Sequence, residues 1–260
     1  MERLEAALID VPGVEVRIVE RCASTNSLLL SHRSGAAVLL AAEEQTAGRG
    51  QYGRRWESAA GADVTFSLSR HVRRPARELA SLSLVAGSAT ATALRALGVA
   101  AASVKWPNDL VVAGAKLGGI LVETRAERGG TRATEVDRTR AVFGIGINCF
   151  HRPGLERRLR RPVAALDQFI RPSRNAVIGC VARSLLAALE RFEAEGFAGA
   201  RAEWEAMDAH AGQRLRVRLA NGRSISGIGG GLAADGALRL ITRKGEAAVR
   251  SGRIVSARLA

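Results

Sequence analysis

Lysine is nearly missing from this chain of 260 residues: among 39 basic residues only Lys105, Lys116 and Lys244 are lysines, and the rest are arginine. Cysteine is scarce too. Cys22, Cys149 and Cys180 are too few and too scattered for a disulfide framework or a zinc cluster, which points to a reducing, cytoplasmic setting. No apolar run approaches the roughly 20 residues needed to cross a bilayer, so no membrane partner is expected. The first residues, MERLEAALIDVPGVEV, carry Glu and Asp among apolar positions and lack the basic start and apolar block of a secretory leader. What is present suffices for a core: with 47% apolar residues, a chain this long buries roughly 70–75% of its unfolded surface without disulfides or a structural metal. One large domain plus a small one is the natural expectation.

The formal net charge of +14 would attract nucleic acid, anionic lipid and acidic proteins alike. The arginines, however, run along the whole chain instead of forming one block, and with abundant Ala and Gly they suggest a compositional drift. A basic solvated surface is therefore expected ahead of a nucleic-acid footprint. The same drift makes lysine informative, because Lys105 and Lys116 lie close together in the sequence.

Periodicity gives the elements. Val14 to Glu20 alternates as a first strand, and Ser24, Thr25 and Asn26 are suited to cap a short helix carrying Leu28, Leu29 and Leu30. Ala37 to Ala42 and Ala62 to Ser69 read as strands. Pro75 opens a helix expected over Ala76 to Leu97. Val104 to Trp106, Leu110 to Ala113 and Leu117 to Glu123 read as strands, the last two joined as a hairpin at Ala113-Gly114-Ala115. Thr124 to Arg140 is expected as an exposed turn before the strand AVFGIGIN. Ser173 caps a further helix, and another is expected over Phe197 to His210. From Gly212 short alternating strands with Asn-Gly and Asp-Gly turns take over, the pattern of a small barrel. The expected fold class is α+β, with a mixed sheet flanked by helices over residues 1–211 and a small C-terminal β-barrel over 212–260.

Gly48, Gly50 and Gly53, in EQTAGRGQYGRRWES, have the spacing G-x-G-x-x-G. In a dinucleotide site the first glycine directly follows a strand and the third opens a helix. Here Glu43 to Ala47 intervene, and a turn and a strand follow, so the context fails. The loop still suits an anion: glycines allow close backbone approach, and Arg49, Arg54 and Arg55 offer forks for phosphate or carboxylate. Trp56 suits an apolar anchor, or equally a core tryptophan.

The second constellation is VKWPNDLVVAGAKLGGILVE. Pro107 biases Trp106 to an extended conformation and Asn108-Asp109 favours a turn, so Lys105 ends one strand and Lys116 begins another. Gly118 and Gly119 leave room for a ligand beside Lys116.

These residues resemble the bacterial biotin protein ligases, which biotinylate the carrier subunit of acetyl-CoA carboxylase. The match comprises Ser24-Thr25-Asn26, Gln45-Thr46-Ala47-Gly48-Arg49-Gly50 through Gly53-Arg54 and Trp56, Lys105-Trp106-Pro107-Asn108-Asp109, Lys116-Leu117-Gly118-Gly119-Ile120-Leu121, and Gly144-Ile145-Gly146-Ile147-Asn148, in the family's order. The resemblance implies a class II synthetase-like catalytic body with an SH3-like barrel, and a reaction in which biotin and ATP form biotinyl-5'-AMP and the acyl group passes to a lysine of the biotin carboxyl carrier protein. It implies Lys116, Arg49 and Lys105 as catalytic cations, since joining a carboxylate to a phosphate needs positive charge at the reacting oxygens. Ser24, Thr25 and Gln45 would read the ureido ring, Trp106 and the Gly118-Gly119 strand would line the apolar part, and Asn26, Gly48, Arg49 and Lys116 would complete the biotin site. Gly50, Arg54, Trp56, Asn108 and Asn148 join Arg49, Lys105 and Lys116 around the adenylate, the two amides suited to an adenine edge. The glycine loop becomes a lid over the adenylate, although Gln51 stands where many relatives carry arginine. Mg²⁺ is expected with ATP, its ligands unassigned, and Asp109 is a candidate for proton or metal placement. Arg253 and Arg258 are candidates for contacts from the barrel to ATP or the carrier. Some relatives carry an N-terminal winged helix; only a short segment precedes the first strand here, so sequence-specific DNA binding is not expected. A homodimer is compatible with the resemblance. A lipoate or octanoate transferase of the same general body is the alternative.

Overall fold

In the computed structural model, which describes residues 2–32, 35–127 and 138–259 apart from the side chains at 127 and 138, seven strands build the larger sheet. They are β1 (Glu15–Cys22), β2 (Val38–Gln45), β3 (Asp63–Val72), β4 (Ser103–Lys105), β5 (Asp109–Val112), β6 (Ala115–Glu127) and β7 (Arg138–Asn148), in the spatial order β1-β2-β3-β7-β6-β5-β4. Only β1 and β2 pair in parallel, so the sheet is mixed. The helices are α1 (Thr25–Ser31), α2 (Leu82–Ala96), α3 (Leu155–Leu159), α4 (Arg174–Glu195) and α5 (Phe197–Glu205). Strands β8 (Arg214–Leu219), β9 (Ser224–Leu232), β10 (Leu238–Thr242), β11 (Gly245–Val249) and β12 (Gly252–Arg258) form a separate antiparallel sheet ordered β11-β10-β9-β8-β12.

Strand β2 explains the layering. Alternate residues face opposite sides of a sheet: Leu39 and Ala41 enter the main core, which includes residues of α2 and α4, while Val38 and Leu40 join Leu29 of α1 and Val142 on the other side. Both faces of the central strands are thus covered, and β3 is buried along most of its length. The two sheets share one core, since Leu215, Val217, Leu238 and Leu240 are continuous with it. The Trp106 indole N–H donates to the Gly236 carbonyl across the junction at 3.3 Å.

The local signals act as read at several points. The Ser24 hydroxyl accepts from the Ser27 N–H at the start of α1, and Ser173 accepts from Ala176 at the start of α4. The β5–β6 hairpin turns on Ala113 and Gly114, with φ of 49° and 79°, the doubly left-handed backbone of a two-residue type I′ turn.

Elsewhere the structure departs from expectation. The helix expected over Ala76 to Leu97 divides into a 3₁₀ segment, Ala76–Ser81, and α2; the Ser81 hydroxyl donates to the Glu78 carbonyl at 2.7 Å within the tighter turn. The helix expected to reach His210 stops at Glu205, because the following residues pair along one edge of β4, where the Val104 N–H donates to the Met207 carbonyl and the Ala209 N–H to the Val104 carbonyl, both at 2.9 Å. The exposed turn expected over Thr124 to Arg140 is strand at both ends, with Thr124 opposite Ala141 and Arg125 opposite Arg140. Its residues 128–137 lie outside the described residues. The short α3 carried no legible pattern among its arginines.

Behind β2 lies a buried charge cluster. The Arg174 guanidinium, 1% exposed, holds Glu43 through contacts of 2.6 and 3.2 Å, and Glu43 also accepts from the Leu4 N–H at 2.7 Å. Burial pushes the Glu43 carboxyl up, but Arg174 and the Leu4 N–H bring it to a net position below its ordinary value. Removing one partner of a buried pair strands the other charge. Arg174→Ala should therefore lower the unfolding free energy by about 3–5 kcal/mol in denaturant titrations, and Glu43→Leu with Arg174→Met should recover most of the loss. A single mutant within experimental error of wild type would contradict this account.

Candidate active site

The site is a trough in the larger sheet, on the side of α1. Across β3, β7 and β6 the ladder aligns Thr65, Gly146 and Gly119 in one row and Ser67, Gly144 and Leu121 in the next. Directly opposed residues share a face, so Thr65, Ser67 and the three glycines sink a floor, with Leu121 standing taller beside it. A cavity of about 540 Å³ opens above it, bordered by α1, the glycine loop, the β4–β5 turn, Arg160 and Arg161 after α3, and Arg253 to Val255 of β12.

One end of the trough is a neutral hydrogen-bonding nest. Gln45 Oε1 accepts from the Thr25 backbone N–H at 2.8 Å and faces its hydroxyl at 3.2 Å. The Ser67 hydroxyl lies 2.7 Å from Thr25 Oγ1 and 2.5 Å from Asn26 Oδ1, while Asn26 Nδ2 donates to Glu123 at 2.9 Å. Ser24, Thr25, Asn26 and Gln45 are all buried.

The other end is cationic. Lys116, near the start of β6, forms an ion pair and hydrogen bond with Asp109 of β5. A Cβ on residue 119 would stand 3.2 Å from Lys116 Nζ, so Gly119 gives the amine its berth. Burial is the main influence on Lys116 and lowers its pKa below the ordinary lysine value; Asp109 opposes the shift, and Arg161 and Arg54 add to it. Lys105 is lowered by burial too, again opposed by Asp109 and reinforced by Arg161 and Arg253. One carboxylate thus stands between two lysines, and among the described residues Arg54, Arg160, Arg161 and Arg253 make no ion pair. The Arg161 Nε is buried without a hydrogen-bond partner. Such a site favours multiply charged anions.

The glycine loop folds back as a small hairpin. Trp56 N donates to the Gly48 carbonyl at 2.9 Å and Gly50 N to the Arg54 carbonyl at 2.7 Å. The Trp56 indole lies flat on β7: a Cβ at residue 146 would stand 2.4 Å from its Cε2. Arg49 reaches across the trough to Glu123 at 2.7 Å, the same carboxylate that holds Asn26. At the loop tip Tyr52, with φ of 59°, sets its hydroxyl 3.0 Å from Ser251 Oγ and accepts from the Gly252 N–H at 3.2 Å, bridging to the second sheet.

Of the residues singled out from sequence, Ser24, Thr25, Asn26, Gln45, Arg49, Gly50, Arg54, Trp56, Lys105, Trp106, Asn108, Asp109, Lys116, Gly119 and Arg253 border the one cavity. Gly48, Gly118, Asn148 and Arg258 do not. Gly48 and Gly118 sit against the Trp56 and Gly146 carbonyls, where a side chain would collide. Asn148 donates to the Lys116 and Ala164 carbonyls at 3.3 and 3.0 Å, which corrects its expected position at an adenine edge: its donors support the Lys116 strand. Asn108 borders the cavity but spends an amide proton on the Ile120 carbonyl at 2.7 Å. Sequence reasoning missed Ser67, Glu123 and Arg161. The alternation Thr65, Ser67, Ser69 within a buried strand was the available signal for the first; arginine abundance hid the last.

Comparison with known proteins decides the family. The model of the biotin/lipoate A/B protein ligase family matches residues 19–136, and the bifunctional ligase/repressor BirA of Escherichia coli K12 is 36% identical over 233 residues, covering 88% of this chain and 70% of its own length. The chain belongs to the biotin/lipoate A/B protein ligase family. A biotin–[acetyl-CoA-carboxylase] ligase of Mycobacterium tuberculosis is 32% identical across 94% of this chain and 90% of its own. The fold agrees with that of the Aquifex aeolicus biotin protein ligase solved with biotin and ATP, at a TM-score of 0.77 and 24% identity, covering 95% of this chain and 99% of the other. The mixed sheet with flanking helices and an SH3-like C-terminal sheet is the architecture of this ligase fold.

Because Gly146 is the seat of Trp56, Gly146→Ala should lift the indole from the sheet. Acrylamide quenching of tryptophan fluorescence should increase, since Trp106 and Trp204 are buried and stay so. Quenching identical to wild type would contradict the stacked arrangement.

Proposed function

We propose that this protein is a biotin–[acetyl-CoA-carboxylase] ligase, activating biotin with ATP as biotinyl-5'-AMP and transferring the acyl group to a lysine of the biotin carboxyl carrier protein. The observation that carries the reading is the single trough joining a neutral hydrogen-bonding nest to a buried cationic end. Biotin, whose ureido head is neutral and whose tail ends in a carboxylate, fits that polarity. Biotin is preferred to lipoate because two relatives similar over most of this chain, from Mycobacterium tuberculosis and Paracoccus denitrificans, are biotin–[acetyl-CoA-carboxylase] ligases by name.

In this reading the ureido group meets Ser24, Thr25, Asn26 and Gln45, and Ser67 orients two of them. The aliphatic part lies over the glycine floor beneath Trp56, with Trp106 part of the wall. The carboxylate oxygen attacks the α-phosphorus of ATP, a mixed anhydride forms and pyrophosphate leaves. Lys116 stabilises both anions as they approach, Lys105 and Arg49 support it, and Arg54, Arg161 and Arg253 receive the departing phosphates; fixed cations in a dry site need no reorganisation during the reaction. The carrier amine then attacks the acyl carbon and AMP leaves.

Mg²⁺ is expected to arrive with ATP. Among the described residues no cluster of three His, Cys, Asp or Glu suits a metal, and the pocket carboxylate Asp109 is held by Lys116. In this reading the substrate phosphates, rather than a dedicated protein cage, hold the ion.

Lys116→Met should cut biotin-dependent ATP–pyrophosphate exchange by about 10²–10³ while biotin binding measured by calorimetry survives. Exchange within about threefold of wild type, well inside that range, would remove Lys116 from the chemistry. Arg49→Ala breaks the strap to Glu123, so the adenylate should escape and label bystander lysines; unchanged selectivity would count against a closing role. Because burial lowers the Lys116 pKa, its cation is lost on raising pH earlier than for a free lysine. The alkaline limb of kcat/KM, which reports the free enzyme, should accordingly fall below pH 10.5, and a flat profile to that pH would contradict the requirement for a charged amine.

A further inference from the structure

The second sheet gathers arginines that look dispersed in the sequence. Along β8, Leu215 and Val217 are buried while Arg214, Arg216 and Arg218 alternate outward and are exposed. The β12 register sets Arg253 opposite Arg218, Ser256 opposite Arg216 and Arg258 opposite Arg214. On the other side, β9 sets Ser224 opposite Arg218 and Ser226 opposite Arg216. Directly opposed residues share a face, and like charges so placed are destabilising, with strands about 4.8 Å apart and same-face neighbours about 6.5–7 Å along each strand.

Among the described residues no carboxylate pairs with the arginines of this plane. From Arg214 to Ala234 and from Arg250 to Ala260 the sequence contains neither Asp nor Glu. Among the described residues Arg214, Arg216, Arg218, Arg253 and Arg258 make no ion pair, whereas Arg239 and Arg250 nearby pair with Glu246 and Asp235. Arg253 lies both in the plane and on the cavity wall, so the basic surface runs continuously to the mouth of the reactive trough. Burial, then the neighbouring charges of Arg54 and Arg218, hold Arg253 below the usual arginine range.

Resting on the ligase reading above, we propose that the β8–β12 face docks the protein substrate, a carrier domain that presents an acidic surface beside its acceptor lysine. Continuity with the cavity favours this partner: an acidic domain seated there holds its lysine near the Tyr52 loop tip, at the entrance to the adenylate. A single-stranded nucleic acid would meet guanidinium groups but no aromatic ring on these strands to stack its bases.

The test is the full chain carrying Arg214→Glu, Arg216→Glu and Arg258→Glu, with the corresponding Gln triple as a milder companion and thermal unfolding as the check on folding. None of these positions borders the cavity. The probe is the isolated biotinyl domain of the acetyl-CoA carboxylase carrier subunit. Biotin-dependent ATP–pyrophosphate exchange, which needs no carrier, should stay within about twofold of wild type, while the KM for the carrier rises about tenfold or more with kcat little changed. The Gln triple should fall between, and the salt dependence of the carrier KM should flatten in the Glu triple. A carrier KM unchanged in a folded triple overturns the proposal. So does a variant that loses affinity for a short labelled single-stranded DNA while keeping its carrier KM. Absence of biotin-dependent exchange in the wild-type chain overturns the ligase reading itself, and this proposal with it.

Discussion

A buried lysine sharing one carboxylate with a second lysine is the constraint around which the site is arranged. Lys116 is nearly enclosed, which penalises its charge, and Asp109 is the group that sustains it. Lys105, Arg54 and Arg161 add positive charge to the same low-dielectric region. The protein alone thus holds an electrostatic imbalance that incoming anions relieve. The fold prepares this through a small device: the Ala113-Gly114 turn sets Val112 opposite Ala115 and Val111 opposite Lys116, a bulge at the next step shifts the register so that Asp109 lies opposite Gly119, and the Lys116 amine folds back into the space that Gly119 leaves.

The neutral end of the trough is built by a different economy of side chains. Rows of Gly, Ser and Thr across β3, β7 and β6 lower the floor, and α1 brings its first turn to the edge. Glu123 then joins three parts at once, receiving Asn26 from α1 and Arg49 from the glycine loop while belonging to β6. With Trp56 seated on Gly146 and Tyr52 fastened to the β11–β12 turn, the loop is tied to both sheets. Closure of the loop and integrity of the second sheet are therefore mechanically connected.

Much of this was legible because the informative residues are rare in their background. Against an arginine-rich composition, Lys105 and Lys116 stood out, and the glycine loop failed the dinucleotide context on its flanking residues alone. What stayed hidden depends on tertiary pairing. Glu123 has no motif of its own and gains meaning only when β6 is set beside α1. Arg161 and the β8–β12 face were concealed by the same arginine abundance that exposed the lysines, since strands separated in sequence become neighbours only through register. Asn148 was misplaced because an amide suited to an adenine edge suits a backbone carbonyl equally well. The shortened α5 follows from bonds between Met207, Ala209 and Val104, a long-range contact that helical periodicity does not announce.

The account rests on a trough that drives two anions together and then keeps the product covered. The most direct measurement is a rapid-quench record of pyrophosphate release from the chain mixed with biotin and MgATP in the absence of carrier protein. The account predicts a biotin-dependent burst of pyrophosphate equal to the concentration of active sites, followed by a slow phase while the adenylate stays beneath the glycine loop. Linear release without a burst, or release indifferent to biotin, would contradict it.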